Sequence, residues 1–206
     1  MTERRQNDRP FVIGVTGKIA CGKSSVLEIL REKGVETIDA DQVYHELIRP
    51  KLPLWETLRA AFGEGIIASD DQIDRKALGA IVFSDPELLR RLDAITHPAV
   101  IDQIVRRIAA STADVIAVDG VKLVESGMDL LCDVVWRVTC EHATQKERLT
   151  RRNGISEAEA ERRIAAQPSP PASTRPETEI ANDADFATLQ VEVEVAWKSL
   201  PVTRRR

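Results

Sequence analysis

The stretch "VTGKIACGKSSV", residues 15–26, decides how the rest of the chain is read. It contains Gly17-x-x-x-x-Gly22-Lys23-Ser24, the spacing of a loop that grips the phosphates of a nucleoside triphosphate. Triphosphate oxygens are held at least cost by fixed dipoles. A strand-to-helix turn supplies them as backbone N–H groups and the positive end of the helix macrodipole. Gly17 and Gly22 admit backbone angles and close approaches that a Cβ would obstruct. Lys23 reaches the β- and γ-phosphates, and the hydroxyl of Ser24 can ligate Mg²⁺. The context agrees with the motif. "FVIGVT" (11–16) is a β-rich run, and Val26, Leu27, Ile29 and Leu30 follow on a helical period that Gly34 ends. Inside the loop, Cys21 lies beside Lys23 at a helix start, where a thiol can become reactive. It reads either as a redox switch or, with more weight, as a small tolerated residue.

Outward from the loop, "VETI" (35–38) reads as a second strand followed at once by "DAD". Strand, loop, helix and strand make a βαβ unit with parallel strands and a right-handed crossover. "DVIAVDG" (114–120) and "DVVWRVTC" (133–140) fit further buried strands, which predicts an α/β sandwich with helices on both faces of a parallel sheet. From Gln42 to Ser111 the periodicity is helical, with almost no strand signal. Ser84-Asp-Pro-Glu87 reads as a capping box with an early proline, and His97-Pro98 is expected to interrupt the helix that follows. Residues 141–167 form another helical stretch, rich in arginine, broken at Asn153-Gly154 and restarted by the capping box Ser156-x-x-Glu159. "QPSPPASTRPE" (167–177) is a loop, since its prolines forbid continuous helix or sheet. "VEVEV" near the end alternates like a strand, yet Phe186, Leu189, Val193, Trp197 and Leu200 keep helical spacing, so a helix is expected.

Bulk properties bound the class. The 206 residues can bury a real core, and 43% hydrophobic with 30% charged residues is a soluble globular balance. A formal net charge of −4 gives no support to nucleic-acid binding. No apolar run approaches the ~18 residues of a membrane span. "MTERRQNDRP" has no hydrophobic segment behind its charges, so no secretory leader is expected. Cys21, Cys132 and Cys140 are odd in number and lack metal-ligand spacing. Free thiols in a reducing cytoplasm are therefore expected rather than a disulfide framework.

Chemistry opposite the loop falls to carboxylates and arginines. In an open parallel sheet, ligands bind at the carboxyl ends of the strands, where both the glycine loop and "DAD" lie. Asp39 and Asp41 can each cap the next helix, hold Mg²⁺, or accept the proton of an attacking hydroxyl; for Asp39 alone capping or Mg²⁺ holding is favoured over the base role. Asp119 ends a hydrophobic strand and suits either a Mg²⁺-holding role or an ordinary turn. Most arginines of "QKERLTRRNG" and "ERRIAAQ" fit a solvated helix face with pairs such as Glu147 and Arg151, leaving one or two for phosphates.

The ordered runs "VIGVTGKIACGKSSV", "GVETIDADQVYHEL", "DRKALGAIVFSDPELLRRLDAITHPAV", "DVVWRVTC" and "QKERLTRRNGISEAEAERRIAAQ", with Asn182-Asp183, carry a resemblance. Over about residues 11–200 the chain resembles the dephospho-coenzyme A kinase family. The resemblance implies a P-loop kinase three-layer sandwich with a helical substrate-binding subdomain and an arginine-bearing lid. It implies phosphorylation of the ribose 3′-hydroxyl of dephospho-CoA by ATP with Mg²⁺, in a cytoplasmic monomer or small homo-oligomer. Asp41 would be the base. Gly17, Ala20, Cys21, Gly22, Lys23, Ser24 and Ser25 would hold ATP, and Ser24 and Asp119 the Mg²⁺. Arg148 and Arg152 would act from the lid on the transferring group and nucleotide, and Asn182 would lie near the adenine. Arg75, His97, Lys122, Glu125 and Gln167 would lie in or near the acceptor site. The chain departs from the family at Lys18, Ala20-Cys21 and Ser25 in the loop, at Val121-Lys122, and at Pro176-Glu177.

The expected organisation is an N-terminal arm (1–10), a nucleotide-binding core (11–43 and 112–200) with a lid at about 146–170, a helical acceptor subdomain (44–111) and a disordered basic tail (201–206). A related kinase with another acceptor, and a nucleotide-binding protein without transfer activity, are the alternative readings.

Overall fold

The structure is a computed structural model that describes residues 9–167 and 169–201. Residues 1–8 of the expected arm, residues 202–206 of the expected tail, and Pro168 of the proline-rich loop lie outside the described residues. The elements run β1 (Phe11–Gly17), α1 (Lys23–Glu32), β2 (Glu36–Asp39), α2 (Ala40–Leu47), α3 (Pro53–Phe62), α4 (Arg75–Val82) and α5 (Pro86–Ala110). They continue with β3 (Val115–Asp119), β4 (Val134–Thr139), α6 (His142–Asn153), α7 (Glu157–Ala166), β5 (Glu177–Ala181) and α8 (Phe186–Lys198). Two compact units result, one made of residues up to Ile38 together with those from Ser111 onward, the other of Asp39–Ala110.

In the first unit five strands form a parallel sheet in the order β2-β3-β1-β4-β5. Val15 of β1 lies level with Asp119 of β3 and with Trp136 of β4, and Gly17 lies level with Val138. The carboxyl ends of β1, β3 and β4 therefore open on one edge. Central strands buried on both faces read as continuous apolar runs. Val12, Ile13 and Val15 are accordingly all fully buried. On one face Ile13, Val15 and Trp136 pack with Val26, Ile29 and Leu30 of α1 and with Leu189, Val193 and Trp197 of α8. The helical spacing at the C-terminal end thus wins over the "VEVEV" alternation.

The fifth strand was not legible. β5, "ETEIA", buries only Ile180 among mostly exposed residues, and its partner β4 supplies the pairing that its own pattern does not announce. The loop before it is tied down. Arg137 donates to the carbonyls of Pro170 (3.3 Å) and Pro171 (2.8 Å) and pairs with Glu177, while Ser173 Oγ donates to the buried Asp129 carboxylate (2.7 Å).

The second unit is helical, as the periodicity predicts. Leu54, Trp55, Leu58, Ile66, Leu78 and Val82 are buried together, joined by Leu88, Leu92 and Ile95 of α5. Full burial of Leu58 and Ile66 stabilises by roughly 1.5–3 kcal/mol each. Two local expectations are corrected. Pro98 does not break α5, which runs 25 residues through it. The missing N–H removes one helical hydrogen bond, and the buried stripe Thr96, Val100, Ile104 and Ile108 keeps the two halves in one line. At the start of α5 the capping side chain is Asp85, whose carboxylate accepts from Glu87 N–H (2.8 Å). Ser84 instead donates back to the Ile81 carbonyl (2.7 Å). At the second box Ser156 Oγ accepts from Glu159 N–H (3.2 Å), while the Glu159 carboxylate is held by Arg162 and Arg163.

Candidate active site

At the end of β1 the chain turns through Gly17 (φ +151°) into the phosphate loop and enters α1 through Gly22, a left-handed N-cap (φ 94°, ψ 30°). A Cβ at Gly17 would strike the Val138 carbonyl of β4, and one at Gly22 would strike the Asn182 amide. The two glycines are therefore required by packing within the protein as well as by the backbone angles that the motif implies. Ala20 adopts φ +61° without being glycine, a strain of about 1–2 kcal/mol that the surrounding contacts must hold.

Those contacts are specific. Ile19 N–H donates to Gln167 Oε1 (2.7 Å), and the Ile19 carbonyl accepts from Gln145 Nε2 (2.7 Å). The Cys21 carbonyl accepts from Asn182 Nδ2 (2.8 Å), and the Asn182 carbonyl accepts from Arg148 Nη1 (2.8 Å). Gln145 and Asn182 are buried, and these bonds satisfy their amides. Asn182, expected near the adenine, and Gln167, expected near the acceptor, both grip the loop itself. Gln145 was missed. Its only sequence signal is a polar residue on the apolar side of an arginine-rich helix, which points to burial but not to a partner.

A cavity of about 640 Å³ opens over the loop, a size suited to a nucleotide. Ala20, Gly22, Lys23, Ser24, Ser25, Asp119, Arg148, Arg152 and Asn182, all named from sequence, line it together. Lys18 and Arg151 join them, so five cations face one carboxylate, an arrangement for a polyanion. Ala184, Phe186 and Leu189 supply an apolar wall; in the sequence Phe186 and Leu189 stand out only for their helical spacing, and Ala184 is not singled out. Other arginines are ordinary. Arg162 and Arg163 both hold Glu159, and their hydrogen bonds keep its carboxyl below the usual range. Arg151 of the cavity also makes the expected pair with Glu147 (3.3 Å). Among the described residues no group of three or more His, Cys, Asp or Glu is placed to hold a metal ion. Ser24 and Asp119 nevertheless share the cavity. A hydroxyl and a carboxylate are the hard oxygen donors that Mg²⁺ takes when phosphates complete its shell.

Gly17 and Cys21 turn instead toward a second cavity of about 370 Å³. Here the expectation of free thiols fails: Cys21 and Cys140 form a disulfide, their Cα atoms 5.2 Å apart. The cause is the topology. β1 and β4 are parallel neighbours, so the residues just beyond their carboxyl ends meet, although 119 positions separate them in sequence. Only Cys132 is a free thiol. It is buried, and that burial pushes its pKa up to about 12.

Lys122 and Glu125 occupy the turn after β3, both exposed. In the helical unit Asp39 caps α2, accepting from Asp41 N–H (2.8 Å) and Gln42 N–H (3.0 Å). That leaves Asp41 in the first turn with an exposed side chain that is not the cap. Arg75 opens α4 and sits 2.6 Å from His45 Nε2. Burial raises the pKa of the nearby Tyr44 phenol, against the opposing charge of Arg75. His97 lies 3.3 Å from Asp93, one turn earlier on α5. Tyr44 and His45 were not singled out from sequence, although both stand in "DQVYHEL" one turn beyond Asp41.

Comparison with known proteins agrees with this geometry. A family model described as dephospho-CoA kinase matches residues 11–187. Dephospho-CoA kinase of Symbiobacterium thermophilum is 42% identical over 192 residues, covering 91% of this chain and 80% of that protein. That of Geobacter sulfurreducens is 41% identical, covering 90% and 96%. Among solved structures, TT1252 from Thermus thermophilus superposes with a TM-score of 0.77 at 27% identity, covering 93% of this chain and 98% of that one. Dephospho-CoA kinase from Campylobacter jejuni gives 0.62 at 25%, covering 91% and 95%. With the phosphate loop, its clamps and the cation-lined cavity in place, the chain belongs to the dephospho-CoA kinase family.

Proposed function

We propose that this chain transfers the γ-phosphoryl group of ATP to the ribose 3′-hydroxyl of dephospho-CoA, releasing CoA and ADP, the last step of CoA biosynthesis. The observation that carries the reading is the convergence of Lys23, Ser24, Asp119, Arg148 and Arg152 on one cavity in a chain of this family. Phosphoryl transfer asks little covalent chemistry of a protein and much positioning and charge stabilisation. Lys23 and the loop N–H groups hold the phosphates. Arg148 and Arg152 stabilise the equatorial oxygens as charge develops on them. Asp41 takes the proton of the attacking 3′-hydroxyl. Ser24 and Asp119 would hold Mg²⁺, which would supply neutralisation of the phosphate charge when bound.

On this reading residues 44–111 form the acceptor subdomain, with Arg75 and His97 serving the acceptor, and residues 146–170 form the lid. Lys122 and Glu125 lie toward the acceptor in the same scheme. Among the described residues no helix is long and apolar enough to cross a membrane, and a cytoplasmic site of action fits that scheme. The test is turnover with labelled ATP and a panel of acceptors comprising dephospho-CoA, nucleosides and nucleotides. Dephospho-CoA should be the fastest by at least about tenfold, equivalent to 1.4 kcal/mol of transition-state discrimination. A faster acceptor of another class would overturn the assignment.

A further inference from the structure

The Cys21–Cys140 bond lies between the phosphate loop and the end of β4, and both sulfur-bearing residues line the 370 Å³ cavity with Gly17, Lys18, Arg137 and Glu177. This cavity and the 640 Å³ nucleotide cavity share Lys18 but take different neighbours from the loop. Cys21 lines the first, whereas Ala20 and Gly22 line the second. The bond can therefore form and break without occupying the space of the nucleotide, while acting on the backbone that holds it. We propose that Cys21 and Cys140 are a reversible thiol–disulfide modification site, served through this cavity by low-molecular-weight thiols and disulfides of the glutathione type, and that the closed bond preorganises the phosphate loop.

The two sulfurs are unequal. Cys21 is 2% exposed, whereas Cys140 is only partly buried, so an entering thiolate meets Cys140 first. Attack there makes Cys21 the leaving thiolate, just ahead of the α1 N-terminus, whose positive potential stabilises it, in a cavity that Lys18 also lines. The steps balance. A thiolate RS⁻ attacks Cys140 Sγ, forming an RS–S bond and expelling Cys21 as thiolate. A second RS⁻ then displaces Cys140 as thiolate and leaves as RSSR. Two electrons pass from the two thiolates to the protein, and the cysteines take up two protons from water. The reverse sequence, with RSSR as oxidant, closes the bond. Cys132 takes no part, because it does not line this cavity and its burial raises its thiol pKa.

Closing a link across 119 positions removes much of the unfolded chain's freedom, and it adds a covalent restraint to the hydrogen-bond clamps at Ile19 and Cys21. The oxidised chain should melt on the order of 10 °C higher than the reduced one. It should also bind MgATP roughly tenfold more tightly, since the loop no longer has to be ordered on binding.

The inference rests on the phosphate-loop reading and not on the identity of the acceptor. To test it, the full chain is equilibrated in buffers of varied reduced-to-oxidised glutathione ratio, quenched with acid, and then alkylated in denaturant near neutral pH, where the buried Cys132 also reacts. Reacted thiols are counted by intact mass, with melting temperature and MgATP Kd measured on parallel samples. One alkylated thiol in oxidising buffer and three in reducing buffer are expected, with both shifts following that count. C132S should keep the whole response, and C140S should show reduced-state values in every buffer. Three thiols in all buffers, a response that vanishes in C132S, or an MgATP Kd independent of the count would overturn the proposal. Should C140S fail to fold, the buffer series on wild type and C132S still decides. Absence of CoA product from both redox forms would instead count against the acceptor assignment alone.

Discussion

At the phosphate loop the holding is done by backbone groups that distant residues fix in place: Gln145 and Gln167 on Ile19, Asn182 on Cys21, and Cys140 through sulfur. At the start of α2 the arrangement is local. Asp39 caps the helix, and Asp41 stands exposed two residues on, with nothing described that fixes its carboxylate. A triphosphate needs a rigid cradle of dipoles formed before it arrives. A base needs one unoccupied carboxylate that can reach its hydroxyl when the acceptor comes. The difference separates residues whose loss should change binding from those whose loss should change only chemistry.

The sharpest break is Asp41→Asn. The variant should lose about 10³-fold in turnover while the KM for ATP stays within about threefold, since only proton transfer is removed. Steady-state kinetics would show this, and a turnover near wild type would dismiss Asp41 as the base. Gln145→Ala takes away a clamp instead and leaves the Ile19 carbonyl without its buried donor. Stability should fall by about 1–3 kcal/mol, and the KM for ATP should rise roughly tenfold through the loosened loop. Denaturant melts and ATP titrations would read both.

Asp39→Ala contrasts two neighbouring carboxylates directly. Loss of the cap should cost about 1 kcal/mol, with turnover falling far less than in Asp41→Asn; equal losses would mean that the two roles are not divided. The smallest effect is expected at Glu177→Gln; Glu177 lines the smaller cavity but makes none of the hydrogen bonds that hold the phosphate loop or cap α2. The Arg137 hydrogen bond holds the Glu177 carboxyl below its ordinary value of 4.5, so the folded form gains stability above that pH and loses it as pH falls through the depressed value. The variant should be less stable by about 1 kcal/mol near neutrality. Its deficit should narrow below pH 4.5 in thermal melts, because there the wild-type carboxyl becomes protonated as well.

How far the sequence could be read follows the same division. The loop, α1 and the buried strands were legible because glycine spacing and apolar runs are local signals, whereas at Asp39 the sequence left a cap and a Mg²⁺ ligand both open and the structure shows the cap. The clamps were not, since Gln145, Gln167 and Asn182 act on residues more than a hundred positions away. Nor was β5, an edge strand whose residues are mostly polar and which takes its structure from β4. The disulfide was missed because cysteine counting cannot see that β1 and β4 are adjacent. Proline rules misjudged α5, where packing on both sides of Pro98 outweighs one absent hydrogen bond.

The central claim, that the γ-phosphate held over this loop goes to a ribose 3′-hydroxyl, is tested most directly by product analysis. Incubation with labelled ATP, Mg²⁺ and dephospho-CoA, followed by NMR of the product, should show the label as a 3′-phosphomonoester, with one CoA formed for each ADP. Label at another position, or ADP released without CoA, would contradict it.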